Sequence, residues 1–107
     1  MTEPVTPAFN ELIHAPLRLR ICGLLRQIDE LDFAVIRDAL DIDDAKLSKN
    51  LKTLGDAGLV ALRKERSPSR SDARRLTWVK LTPLGAQTLE AHLAALAEIA
   101  GTGAAGR

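Results

Sequence analysis

Between residues 17 and 28 the apolar side chains Leu17, Ile21, Leu24, Leu25 and Ile28 recur at i, i+4, i+7, i+8 and i+11. That spacing lines one face of an α-helix, with Arg18 and Arg26 off the stripe. Ahead of it, Thr6-Pro7 reads as a helix opening, a hydroxyl at the N-cap and proline in the first turn. Pro16 lacks the backbone donor that a helix interior needs, which predicts a kink or restart there. Asp29-Glu30-Leu31-Asp32 ends this helix, and Leu31-Asp32-Phe33 reads as a short extended segment. A second short helix is expected over 34–40, with Ile36, Ala39 and Leu40 inward. Asp43 is placed to cap a third helix running from Asp44 to about Ala57, whose inward stripe is Leu47, Leu51 and Leu54. Gly58 closes it, because a left-handed residue ends a helix and glycine adopts that conformation at least cost.

From Leu59 the period changes. Residues 59–65 and 76–81 read as strands, joined by Arg66-Ser67-Pro68-Ser69-Arg70-Ser71-Asp72-Ala73-Arg74-Arg75, a tip rich in turn formers and arginine. Thr82-Pro83 repeats the cap-and-proline opening, and Leu89, Leu93, Leu96 and Ala100 follow on one helical face before Gly101. The expected order is helix-helix-helix-strand-strand-helix, a mainly α fold with a small β-hairpin. A helix-turn-helix followed directly by such a hairpin is the winged-helix arrangement. The expected divisions are an N-terminal arm over 1–7, one domain over 8–100 that includes its terminal dimerisation helices, and a disordered tail over 101–107.

Composition adds little until charge is mapped along the chain. The 107 residues carry a formal net charge of +1. Residues 1–42 sum to −3, residues 43–80 to +5 and residues 81–107 to −1. A basic middle between acidic ends is the distribution a polyanion-binding face produces. Aromatic residues are few (Phe9, Phe33 and Trp78), so the core must be built from Leu, Ile, Val and Ala. No apolar run approaches the roughly 18–20 residues that span a bilayer, and the N-terminus lacks the pattern of a signal peptide. With a single cysteine, these features point to a cytoplasmic protein without a membrane partner.

Four stretches in this order resemble one family: His14-Ala15-Pro16-Leu17-Arg18-Leu19-Arg20-Ile21; Asp44-Ala45-Lys46-Leu47-Ser48-Lys49-Asn50-Leu51-Lys52-Thr53-Leu54; Ala57-Gly58-Leu59-Val60; and Arg74-Arg75-Leu76-Thr77-Trp78-Val79-Lys80-Leu81-Thr82-Pro83-Leu84-Gly85. The chain resembles the compact winged-helix transcriptional regulators of the MarR/ArsR superfamily, especially their short single-domain members. The resemblance implies a prokaryotic homodimer, the third helix in the DNA major groove and the arginine-bearing wing on the flanking backbone or minor groove.

The residues themselves point the same way. Ser48, Lys49, Asn50 and Lys52 lie away from the leucine stripe of the third helix, so burying that stripe turns several of them outward, and Lys46 sits in the first turn, where backbone donors also favour a phosphate. Asn pairs bidentately with adenine, and Lys contacts guanine or phosphate. Arg63 on the strand and Arg66, Arg70, Arg74 and Arg75 in the wing supply guanidinium groups suited to phosphates and narrow minor grooves. Phe9, Leu12, Ile13, Leu89, Leu93 and Leu96 are the expected dimerisation residues, and two-fold symmetry calls for a pseudo-palindromic operator. The expected function is therefore a sequence-specific double-stranded DNA-binding regulator, a repressor by default, with a small-molecule effector of unspecified identity. The alternative is a winged helix that binds proteins and no DNA.

No catalytic constellation is visible, so an enzyme is not expected, and no cofactor or metal is assigned. Asp43-Asp44 is explained as a helix start. His14, Cys22 and His92 form a metal site only if the fold brings them together, and their spacing matches no recognised pattern. Cys22, beside the apolar stripe, reads as a small core residue, with a redox switch as the other reading.

Overall fold

Asn10, rather than Thr6, starts the first helix. In the computed structural model, which describes residues 5–66 and 75–101, Asn10 has extended backbone and its Oδ1 accepts the Ile13 N–H at 2.9 Å. Helix α1 (Glu11–His14) follows, and residues 5–10 form no regular element. The Thr6-Pro7 opening fails because tertiary bonds hold this segment elsewhere. Ala8 N–H donates to the Ala91 carbonyl at 3.0 Å, and Asn10 N–H to His92 Nδ1 at 3.0 Å. A cap signal is local and yields to such anchoring.

Pro16 acts as a restart. Ala15 stands at ψ 130°, and helix α2 (Pro16–Leu25) begins with proline in its first turn. Its buried residues are Ile21, Cys22 and Leu25, while Leu17 and Leu24 are half-buried and Ile28 lies beyond the helix end, exposed. Strand β1 (Leu31–Asp32) leads into helix α3 (Phe33–Leu40). Ile36 and Leu40 are buried as expected, but Ala39 faces solvent. Ile36 and Leu40, one turn apart, carry the inward face, and Ala39 lies beside it. Asp41, at φ 55°, ends α3 in the left-handed region, which aspartate tolerates better than most side chains.

Asp43 caps helix α4 (Asp44–Asp56), its Oδ1 accepting the Lys46 N–H at 2.8 Å. Leu47, Leu51 and Leu54 are all buried. Gly58 then takes φ +78° and turns the chain into strand β2 (Val60–Arg66), which pairs antiparallel with β3 (Arg75–Leu81). The short extended segment near Leu31 becomes a third strand on the outer edge of β3, with Leu31 opposite Val79, so the sheet order is β1-β3-β2. Thr82 caps helix α5 (Pro83–Ile99), accepting the Gly85 N–H at 2.9 Å. Its hydroxyl also donates to the Gly58 carbonyl at 2.6 Å, and Thr82 N–H donates to the Leu59 carbonyl at 3.1 Å. Gly85 lies so close to Leu59 that a Cβ there would overlap the Leu59 carbonyl.

One apolar core runs through all helices and the sheet, including Ile13 of α1, Val79 of β3 and Leu89 of α5. Among the described residues the one buried side chain that is polar is His92. Because His92 Nδ1 accepts from Asn10, its ring proton sits on Nε2, which donates to His14 Nδ1 at 3.3 Å. Phe9 packs against both imidazoles, 4.8 Å between centroids in each case. Burial, and secondarily the neighbouring His14, holds the His92 pKa below its ordinary value. Cys22 is also buried, and desolvation outweighs the nearby Arg18 charge to push its thiol up to about 11. At neutral pH it is a packed thiol with little thiolate character.

Two outcomes follow from this packing. Gly85→Ala must displace backbone at Leu59, and we expect a loss of at least about 2–3 kcal/mol in denaturant unfolding, within the range of large core disruptions; a change below about 0.5 kcal/mol would show that the contact is loose. His92 takes up a proton less readily folded than unfolded, so stability rises with pH in the window below the ordinary histidine value of about 6.5. The Tm should therefore drop between about pH 7.5 and about pH 5.5 more steeply in the native chain than in His92→Gln. Equal slopes would exclude His92 as the source.

Candidate nucleic-acid interface

Helix α4 buries one stripe and presents another. Opposite Leu47, Leu51 and Leu54 lie Ala45, Ser48, Lys49 and Lys52, all exposed. The helix stands between two grooves. One, of about 600 Å³, separates it from the start of α2 and is lined by Pro16, Arg18, Lys46, Lys49 and Asn50. The other, of about 380 Å³, separates it from the sheet and is lined by Phe33, Ser48, Lys52, Leu62 and Lys64. Each flank of α4 thus faces a cation contributed by another element, Arg18 on one side and Lys64 on the other.

The individual side chains differ in how far they are already engaged. Lys46, Ser48 and Lys49 have no ion-pair partner among the described residues, whereas Lys52 meets Asp56 one turn on at 3.2 Å. That exposed pair is screened by solvent and contributes little to stability. Asn50 is half-buried. Its Oδ1 accepts from Arg18 Nη1 at 3.2 Å, and its Nδ2 donates to the Lys46 carbonyl at 2.8 Å.

On the sheet, alternation separates Arg63 from Lys64. Arg63 shares a face with Glu65 and pairs with it at 2.7 Å, and with Glu30 at 2.8 Å. Its guanidinium also sits 5.9 Å from the centre of the half-buried Trp78 ring. Hydrogen bonds from Arg63 draw the Glu30 carboxyl below its usual range and raise the Arg63 pKa. Two carboxylates thus largely neutralise Arg63. Lys64 points to the α4 side, exposed and without an ion-pair partner among the described residues. The backbones of Arg66 and Arg75 pair as the last register of the described hairpin. Arg70 and Arg74 lie outside the described residues.

The residues expected at a dimer surface divide. Ile13 and Leu89 are buried in the chain's own core, at 0% and 1% exposure, and so fill the single domain rather than an outer face. Leu12, Leu93 and Leu96 are half-buried and Phe9 is 44% exposed. A stripe of apolar spacing cannot separate the side chains that fill a core from those that extend it. His14 and His92 do meet, but among the described residues no group of three or more His, Cys, Asp or Glu side chains could hold a metal. Arg18 and Lys64 were not singled out by the sequence. The position of Arg18 off the apolar stripe and of Lys64 on a strand was visible, but not their apposition to α4.

Comparison with known proteins agrees with this geometry. A family model described as a winged helix DNA-binding domain matches residues 17–100. Among solved structures, a transcriptional regulator homologue from Pyrococcus horikoshii OT3 superposes with a TM-score of 0.75 at 24% identity, over 86% of this chain and 87% of that one. NadR, solved in complex with 4-hydroxyphenylacetate, gives 0.65 at 29% identity, over 86% of this chain and 62% of NadR. PcaV from Streptomyces coelicolor, solved with its natural ligand, gives 0.66 at 21% identity, over 86% of this chain and 61% of PcaV. The chain thus spans a little under two thirds of these last two proteins. No curated protein matches it.

Proposed function

The chain belongs to the winged helix DNA-binding domain family, and on that premise we propose that it regulates transcription as a homodimer bound to a pseudo-palindromic operator, acting as a repressor. The observation that carries the reading is the outward stripe of α4, with Ser48, Lys49 and Lys52 projecting from a helix fixed by three buried leucines and flanked by cation-lined grooves. A helix of this kind fits the major groove, and its lysines reach guanine edges or phosphates. Lys46 in the first turn of α4 takes a phosphate, as do Lys64 on β2 and the wing arginines Arg66, Arg70, Arg74 and Arg75. Arg63, held by two carboxylates, contributes as scaffold for the wing rather than as a contact.

Dimerisation belongs to the proposal because one module of this size buries too little DNA surface for tight specific binding. The surface best suited to it is formed by α5 and the segment lying on it, where Phe9, Leu84 and Ile99 are exposed at 44%, 52% and 71%. Leu12, Leu93 and Leu96 extend it at its edge. Two-fold symmetry then sets the reading helices about 34 Å apart. The ligands held by NadR and PcaV support a small-molecule effector for this chain as well. Repression follows from the simplest action of such a dimer, which is to occupy promoter DNA.

Two measurements test this. Binding to duplex DNA from the chain's own upstream region should fall about 10³–10⁵-fold between about 50 and about 200 mM salt, as expected for neutralising roughly 6–10 phosphates. Lys46→Ala should weaken binding to every duplex alike and flatten the salt slope by about one unit. Weak, salt-insensitive binding equal for native and scrambled duplexes would instead favour a protein-docking module. In sedimentation equilibrium at micromolar concentration the native chain should be a dimer and Phe9→Glu a monomer. A monomeric native chain would remove the two-fold operator from the proposal.

A further inference from the structure

Asn50 stands at the point on α4 where a direct adenine contact is easiest to imagine, yet both ends of its amide are engaged inside the protein. The oxygen accepts from Arg18 Nη1 at 3.2 Å and the nitrogen donates to the Lys46 carbonyl at 2.8 Å. The orientation is fixed by chemistry, because a guanidinium only donates and a carbonyl only accepts. Flipping the amide would set donor against donor and acceptor against acceptor. Arg18 is itself held, its Nε donating to the Leu12 carbonyl at 2.6 Å. One half-buried guanidinium therefore joins α1, α2 and α4.

We propose that Arg18 and Asn50 form an interhelical clamp that positions the recognition helix, and that base preference is set by Ser48 and Lys49 instead of Asn50. The inference rests on the DNA-binding reading above. To read adenine, an asparagine must present its oxygen and nitrogen together along one edge of the base. Asn50 would have to turn its amide away from Arg18 and Lys46, leaving a half-buried cation short of an acceptor. What it gained from the base would be offset by what it gave up. Ser48 and Lys49 meet no such cost. Both are exposed on the outward stripe, and neither side chain has a hydrogen-bond partner among the described residues. A hydroxyl serves as donor or acceptor to base edges, and a lysine ammonium donates to guanine O6 and N7. Ala45, one turn earlier, offers a methyl group to thymine. Asn50 lies on the flank that faces α2, where Arg18 lines the same groove.

The test is selection from a randomised duplex library, run with the native chain, Asn50→Ala, Asn50→Asp, Arg18→Met, Ser48→Ala and Lys49→Ala, beside thermal unfolding of the same proteins and of the double variant R18M/N50A. The clamp predicts that Asn50→Ala binds all duplexes about 3–10-fold more weakly while the preferred bases stay the same at every position. Asn50→Asp keeps an acceptor for Arg18, so its Tm should return toward that of the native chain even as its added charge weakens DNA binding uniformly. The double variant should lose clearly less Tm than the sum of the two single losses, since either change removes the Arg18–Asn50 bond. Ser48→Ala and Lys49→Ala should each flatten particular positions of the selected motif. Loss of adenine preference at one position in Asn50→Ala, by about ten- to a hundredfold with the others intact, would overturn the proposal. Additive Tm losses in the double variant would overturn the clamp. A native chain that selects no motif would refute the DNA reading and the roles of Ser48 and Lys49 with it, while the unfolding cycle would still decide the Arg18–Asn50 bond.

Discussion

The contact on which the molecule depends is the one between two stretches of backbone, at Leu59 and Gly85. Leu59 opens the hairpin and Gly85 lies in the first turn of the helix that follows it, so their approach closes the hairpin at its base. Thr82 completes the closure, capping α5 with its hydroxyl oxygen while the same hydroxyl donates to Gly58. Gly58 in turn can accept that position only because it sits at positive φ, where a side chain would be strained. Three consecutive requirements, two for glycine and one for a short hydroxyl side chain, thus meet in one small neck. Helix α4 ends at this neck and the hairpin begins from it, so the turn between them is held by backbone contact and by the Thr82 hydroxyl.

Charge is arranged around that frame by the alternation of the strand. Arg63 and Lys64 are neighbours in sequence but face opposite sides of the sheet. One is bound by Glu30 and Glu65 and lies near Trp78; the other opens onto the groove beside α4. An even count of positive residues therefore overstates what is available to a polyanion. The same holds on α4, where the side chains of Asn50 and Lys52 have internal partners and those of Lys46, Ser48 and Lys49 have none among the described residues.

What the sequence disclosed was whatever is written in local chemistry. The Asp43 cap, the restart at Pro16, the leucine stripe of α4, the left-handed Gly58 and the Thr82-Pro83 start each depend on residues within about one turn of one another, and each was legible. Thr6-Pro7 carried an equally good signal and failed, because Ala8 and Asn10 are bound by a helix some 80 residues away in sequence. Pairings across the chain were hidden for the same reason: His14 with His92, Arg63 with Glu30, Arg18 with Asn50, and the partner strand of the extended segment at Leu31. The apolar residues expected at a dimer surface show the limit of periodicity: it tells only that a face is apolar, and Ile13 and Leu89 turn out to be buried within the chain itself.

The closed neck also separates two kinds of change that sequence drift can make. Strand β2 leaves and strand β3 returns through one fixed doorway, so the path of the chain below it is set independently of the length of what joins the two strands. The entropic cost of a longer excursion grows only with the logarithm of its length. The reach and charge of the wing are thereby uncoupled from the stability of the domain. A scaffold closed at its base keeps its interior constant whatever its outer part becomes, and that separation is made by two glycines and a threonine.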